Sequence, residues 1–214
     1  MSSGKKDFAY KVIKNKILEG VLPPLSDISE DDLVSELEVS RTPVREAIQR
    51  LQKEGFVYIY PRKGTIVTEV TRDLIYEIYQ MRRLNEPFIA KQSCGMIPEE
   101  WLMLKRSAFE NPPKELDTQG LRSYYIGLDR ELHISLLDFC GNRFLQNIMR
   151  VVYDHNHRIR NKVSNPQSEE RDKSIIEHIS IIDMLLAKDS DGVEKVVAEH
   201  VENSEQILLG YIKK

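Results

Sequence analysis

Val39-Ser40-Arg41-Thr42-Pro43-Val44-Arg45-Glu46-Ala47-Ile48-Gln49-Arg50-Leu51-Gln52-Lys53-Glu54-Gly55-Phe56-Val57-Tyr58 is the stretch on which the reading of this chain turns. Thr42 offers a side-chain oxygen for an N-cap, and Pro43 suits the first helical position, where its missing N–H is no loss. The stretch therefore predicts a helix that opens there and closes at Gly55. Val44, Ala47, Ile48 and Leu51 share one face at helical spacing, which leaves Arg45, Glu46, Gln49, Arg50 and Lys53 on the other. One face packs, and the other is left to read a partner.

The flanks complete a unit. Upstream, Ser29 with Asp32 three residues on resembles a capping box and opens a short helix carrying Leu33, Val34 and Leu37, with Glu38-Val39-Ser40 as the turn. Downstream, Phe56-Val57-Tyr58-Ile59-Tyr60, a Pro61-Arg62-Lys63-Gly64 turn and Thr65-Ile66-Val67-Thr68-Glu69-Val70 read as a β-hairpin. A leading helix over residues 7–20 is expected to pack through Phe8, Val12, Ile13 and Ile17. The expectation is a winged helix-turn-helix over residues 1–70, a DNA-binding arrangement in which the second helix enters the major groove.

Charge is placed to suit that reading. Residues 1–70 carry eleven basic and eleven acidic side chains, so the unit has no net positive charge. Between positions 41 and 63, however, Arg41, Arg45, Arg50, Lys53, Arg62 and Lys63 face only Glu46 and Glu54. The field is concentrated on the reading face.

Val39-Ser40-Arg41-Thr42-Pro43-Val44-Arg45-Glu46-Ala47, Leu51, Glu54-Gly55-Phe56 and Pro61-Arg62-Lys63-Gly64 closely resemble the GntR family of bacterial transcription regulators. The likeness spans most of residues 8–68, with Leu25 standing where a glycine is usual after Pro24. It implies that Arg41 and Arg45 meet operator bases and phosphates, and that Arg62, Lys63 and Gly64 approach the minor groove. Asp31 stands where one well-known member has a further arginine. The candidate DNA-contacting set is Arg41, Thr42, Arg45, Glu46, Gln49, Arg62, Lys63 and Gly64.

The remaining length is helical in pattern. Of 214 residues 41% are hydrophobic and 30% charged, with a net charge of −3, enough to fill two compact units. No apolar run reaches the roughly 18 residues that would span a bilayer, and Met1-Ser2-Ser3-Gly4-Lys5-Lys6 lacks an apolar signal core, so a cytoplasmic protein with no membrane partner is expected. Cys94 and Cys140 have no metal-type spacing and read as packed thiols. Residues 71–214 show apolar stripes such as Leu74, Ile78, Met81, Phe88 and Phe144, Ile148, Val152. Breaks at Pro98, Asn111-Pro112-Pro113, Gly141-Asn142, Asn165-Pro166 and Asp189-Ser190-Asp191-Gly192 divide them into an antiparallel bundle of six or seven helices. The chain is thus expected to be mostly α.

Four polar residues interrupt those stripes. Asp129 and His133, four apart, continue the inward stripe of Tyr125, Leu128, Leu132 and Leu136. His178 and His200 each lie eleven residues from Asp189 in a turn, so antiparallel helices of equal rise bring them to one level. One Asp and three His at one depth suit a first-row metal with open coordination positions. Burial of these groups without partners would be costly. His155 and His157, two apart, are read as surface or supporting residues.

Together with Arg82-Arg83-Leu84-Asn85-Glu86-Pro87, Gly141-Asn142 and Glu177-His178, these four resemble the FCD domain of the FadR subfamily, over about residues 72–210. That resemblance implies one divalent transition metal per chain, zinc first and nickel second, held at the floor of a cavity for a small organic acid. It places Arg82 at the cavity border, where a guanidinium could hold a carboxylate, although an ion pair with Glu86 competes for it. Asn142 is read as a helix cap. The expectation is a homodimeric operator-binding regulator with a small carboxylate effector and no catalytic residues. A metal-dependent hydrolase or isomerase with a DNA-binding appendage, or a metal sensor without organic effector, are the alternatives.

Overall fold

The computed structural model describes residues 2–163 and 168–211, and divides into two compact units, Met1–Thr71 and Arg72–Lys214. The Asn165-Pro166 break lies outside the described residues.

In the first unit, α1 (Ser2–Leu18), α2 (Glu30–Leu37) and α3 (Arg41–Lys53) pack with a small antiparallel sheet of β1 (Asp27–Ile28), β2 (Val57–Tyr60) and β3 (Gly64–Val67), ordered β1-β3-β2. Val44, Ala47, Ile48 and Leu51 are buried, and each large apolar side chain so covered contributes roughly 1.5–3 kcal/mol. Ser29 caps α2 by accepting from the Asp32 N–H, and Glu38 closes α2 at φ 52°, which turns the chain into α3.

Three expectations change here. Helix α3 starts at Arg41 with Ser40 as its N-cap, so Thr42 is not the cap and Pro43 is the third helical residue. A proline in that turn loses no helical hydrogen bond, because the first four N–H groups have no helical acceptor. The buried face of α1 is Ala9, Tyr10, Ile13 and Ile17, whereas Phe8 is half exposed: Ile13 and Ile17 set the face, and Ala9, four residues before Ile13, lies on it. Finally, β1 adds a third strand, pairing Asp27 with Ile66. The loop before it carries Leu25 at φ 68°, a left-handed conformation that costs a side chain with a Cβ roughly 1–2 kcal/mol.

The second unit holds α4 (Arg72–Ser93), α5 (Glu99–Glu110), α6 (Thr118–Phe139), α7 (Arg143–Lys162), α8 (Ser168–Leu186) and α9 (Ser190–Tyr211). Helix α4 packs on α9, α7 and α6; α8 packs on α9 and α5. Asn142 caps α7 through the Leu145 N–H, and Gly141 takes φ 73° before it. Some apolar positions are not core: Phe88, Leu104, Phe144 and Ile148 are exposed. Cys94 and Cys140 are free thiols.

Candidate nucleic-acid interface and metal centre

On α3 the side chains of Arg41, Thr42, Arg45 and Gln49 are exposed, and Glu46 is half-buried with its carboxylate 3.3 Å from Lys6. Arg62, Lys63 and Gly64 stand exposed at the hairpin tip, where Arg62 takes φ 64° and Gly64 φ 116°. Two of the arginines already have acidic partners on α2: Arg41 Nη2 meets Asp31 Oδ1 at 2.8 Å, and Arg45 Nε meets Glu30 Oε2 at 2.8 Å. Arg50 is diverted from this face, stacking 3.6 Å over the Tyr10 ring and bonding Glu54 at 3.1 Å. The upstream acids therefore lie against the basic face rather than apart from it.

In the bundle, Asp129 and His133 on α6, His178 on α8 and His200 on α9 come together, all buried, with ligand atoms within 4.8 Å of one another. Around one ion such atoms stand roughly 3 to 4 Å apart, so only a small closure separates this arrangement from a filled site. Two of the three imidazoles are held by a hydrogen bond at Nδ1, and the third has a carboxylate beside its Nδ1 without a hydrogen bond. The Nδ1 of His178 bonds the Ser174 carbonyl at 2.6 Å, that of His200 bonds Glu177 at 2.8 Å, and that of His133 lies 3.0 Å from Glu86 Oε2. The Nε2 atoms are thereby aimed inward. His178 Nε2 meets Asp129 at 2.9 Å, while those of His133 and His200 are buried without a hydrogen-bond partner. Orphaned buried nitrogens that converge beside a carboxylate are what a metal would satisfy.

The electrostatics agree. Burial, reinforced by the neighbouring His178 and His133, holds the His200 imidazole well below its ordinary range, so it is in the neutral form that ligation needs. Burial alone would push the Asp129 carboxyl up. Arg160, 3.2 Å away, and the His178 hydrogen bond prevail and hold it well below the usual carboxylate range. Burial likewise opposes ionisation of Glu86, yet Arg82 and His133 bring it down to about 2.

His178 and Arg160, both bonded to Asp129, line a cavity of about 300 Å³. Its walls combine apolar surface from Phe109, Ile126, Ile175 and Leu208 with the cations Arg122, Arg160 and Arg171 and the carboxylates Glu170 and Glu177, of which Glu177 is held by His200 and Asn203 and Glu170 by Tyr211. Burial and the nearby Arg160 charge push the Arg122 guanidinium down, and its Nε is buried without a partner. That unpartnered Arg122 nitrogen is the donor in this wall suited to an anion.

The sequence pattern of the FCD domain matches residues 77–203, and that of the gntR family of bacterial regulatory proteins matches residues 5–67. This chain belongs to the GntR family. An uncharacterised helix-turn-helix transcriptional regulator of Bacillus subtilis, YdhC, is 29% identical over 192 residues, 89% of this chain and 85% of its own. The Nta operon transcriptional regulator of Aminobacter aminovorans is 28% identical over 86% of each chain. Among solved structures, Escherichia coli McbR/YncC aligns with a TM-score of 0.76 at 21% identity over 95% of this chain and 96% of its own, a likeness of fold. The family and these relatives are transcription regulators, which sets aside the hydrolase or isomerase reading. The buried Asp and His cluster of this FCD domain is compatible with a metal site.

Measured against the family resemblance, one residue stands in a different place. Arg82 is not among the residues that line this cavity. It is fully buried, its guanidinium bonded to Glu86 through Nε and, at 3.2 Å, through Nη2, and to Asn156 at 3.1 Å. The intrahelical pair wins because α4 buries this face against α9, α7 and α6, where an unpaired charge would be prohibitive. The cavity's cations come instead from α6, α7 and α8, as Arg122, Arg160 and Arg171. His155 is buried rather than at the surface. Arg160 is a supporting residue that the sequence reading did not single out, and Glu86 and Glu177, named there, were given no part in holding the histidines. Arg160 shares the Tyr153 and Asn156 face of α7, and Glu177 adjoins His178, but neither pattern names its partner.

Proposed function

We propose that this GntR-family regulator is a homodimer that binds operator DNA through Arg41, Thr42, Arg45, Glu46, Gln49 and the Arg62-Lys63-Gly64 wing tip. Its bundle, residues 71–214, holds one divalent transition metal per chain, zinc before nickel, on Asp129, His133, His178 and His200. A small organic acid is its effector, with its carboxylate held by the cavity cations Arg122, Arg160 and Arg171 rather than by Arg82. The observation that carries the reading is that His178 and Arg160, both paired with Asp129, form part of the wall of a cavity that mixes apolar and charged side chains. When bound, the metal supplies open positions for a carboxylate oxygen. Exposed apolar side chains at helical spacing on the packed helices α4 (Leu84, Phe88) and α7 (Phe144, Ile148) support a second copy as partner. No described helix is long and apolar enough to cross a membrane, and action on DNA in the cytoplasm fits the regulator assignment.

Native mass spectrometry with elemental analysis tests dimer and metal together, with two chains and two metal ions expected. A panel of di- and tricarboxylates and hydroxy acids should contain one that raises the thermal midpoint of the metal-loaded protein and changes its affinity for operator. That rise should shrink in Arg122→Gln and in the metal-free protein. The coupling between acid and DNA is expected to be about 1–3 kcal/mol, the usual size of an allosteric coupling. Operator affinity that follows metal alone, with no acid effective, would establish the sensor reading instead.

A further inference from the structure

The Arg45–Glu30 contact uses an unusual part of the guanidinium for a surface ion pair. Glu30, the first residue of α2, accepts from Nε, the inner edge of the group, at 2.8 Å. Both terminal nitrogens of Arg45 are left without a partner among the described residues, on a side chain that is 58% exposed. Two parallel donors at the end of a fixed guanidinium match O6 and N7 of guanine in the major groove. Arg41 provides the contrast on the same helix, because Asp31 engages one of its terminal nitrogens and so takes up one prong of the fork.

At the first turn of α2 a carboxylate suits the helix dipole, as Asp31 and Asp32 beside it also do, but that role does not require it to lie against Arg45, and it does not attract DNA. Exposed ion pairs contribute little to folding, and a negative charge beside the reading face weakens attraction to phosphate for every sequence alike. Its benefit is geometric: it holds the fork in one plane before DNA arrives, so less side-chain freedom is lost on binding. We propose that Glu30 is a positioning residue for Arg45, holding its two terminal nitrogens for a guanine in each operator half-site.

This inference rests on the reading of Arg45 as a DNA contact, and the experiment separates the two. The probe is a duplex enriched from a random pool by the wild-type protein, together with copies in which each half-site guanine in turn is replaced by 7-deazaguanine, which removes N7 and keeps the base pair. One such replacement should weaken wild-type binding about tenfold and leave Arg45→Ala within about twofold of its own affinity for the unmodified duplex. Glu30→Ala should lose the same sensitivity while its affinity for a scrambled duplex rises. Glu30→Gln, which keeps an acceptor for Nε, should retain it. Glu30→Asp, one methylene shorter, should lose it and serves as the deciding variant if the alanine form is poorly folded. Should Glu30→Ala and Glu30→Asp both keep full sensitivity, or no replacement matter to the wild type, the positioning role is overturned. An Arg45→Ala protein with unchanged operator affinity would instead remove Arg45 from the DNA contacts altogether.

Discussion

Both units pair an arginine with a glutamate, and the two pairs have opposite meanings. Arg45–Glu30 sits in solvent at the surface of the helix-turn-helix, while Arg82–Glu86 is wholly enclosed in the bundle. The exposed pair adds little to the fold, and its arginine stays available to a ligand. The enclosed pair is indispensable mainly because of what the loss of one partner leaves behind. Exposure thus separates groups kept for binding from groups kept for architecture, even where the chemistry is identical.

The sharpest way to break this comparison is to remove one partner from each pair. Glu86→Ala leaves Arg82 charged and unpaired in the core and should cost about 3–5 kcal/mol in urea unfolding. Glu30→Ala should cost under about 1 kcal/mol. Equal losses would show that burial does not distinguish them. The metal cluster comes next: His178→Ala and His200→Ala should each lower metal content well below one per chain. Their thermal midpoints should stop responding to added metal, a response equivalent to about 2.7 kcal/mol at a hundredfold excess over Kd. Full occupancy in both after dialysis against a mild chelator would place the ion elsewhere.

On the exposed side, Arg45→Ala should weaken operator binding by about 1–3 kcal/mol with its unfolding midpoint nearly unchanged. A stability loss equal to the binding loss would dissolve the distinction. The buried cluster also predicts a pH response that the reading face lacks. The His200 imidazole is held below its ordinary value of 6.5 in the folded protein, so the unfolded chain binds the extra proton first as pH drops. Its contribution is therefore present above 6.5 and lost as pH falls, at about 1.4 kcal/mol for each unit of depression. The metal-free protein should lose stability between pH 7 and pH 5 more steeply than metal-free His200→Gln, by thermal melts at each pH. The smallest effect is expected at the wing, where Lys63→Ala should weaken binding to operator and scrambled duplex alike and lower the salt slope by about one.

Periodicity explains which parts of this molecule could be seen in its sequence. Val44, Ala47, Ile48 and Leu51 mark the packed face of α3 because one element supplies the whole pattern. Asp129 with His133, and the equal spacing of His178 and His200 from Asp189, are also local arithmetic, and the structure does draw these four together. Strand β1 was invisible, since two residues with one apolar side chain carry no period. Partners across helices were invisible for a different reason. A helical pattern says that Glu86 or Arg160 faces inward without saying that His133 or Asp129 stands opposite. Arg82 shows the same limit, because its place at i, i+4 to Glu86 left two partners open and only the packing of α4 selects between them.

The hairpin of α8 and α9 makes chain length itself a dimension of the metal centre. One residue inserted between Ser190 and His200 would carry that imidazole about 100° around the helix and about 1.5 Å along it, away from the other three side chains. The same insertion between Leu186 and Ser190, where Lys188 already turns at φ 56°, lengthens only the connection and leaves both histidines at their level. Insertions and deletions are therefore filtered by address rather than by size. A peptide tag or reporter placed at Lys188 should spare the cluster, whereas a single added alanine after Glu194 would disarm it.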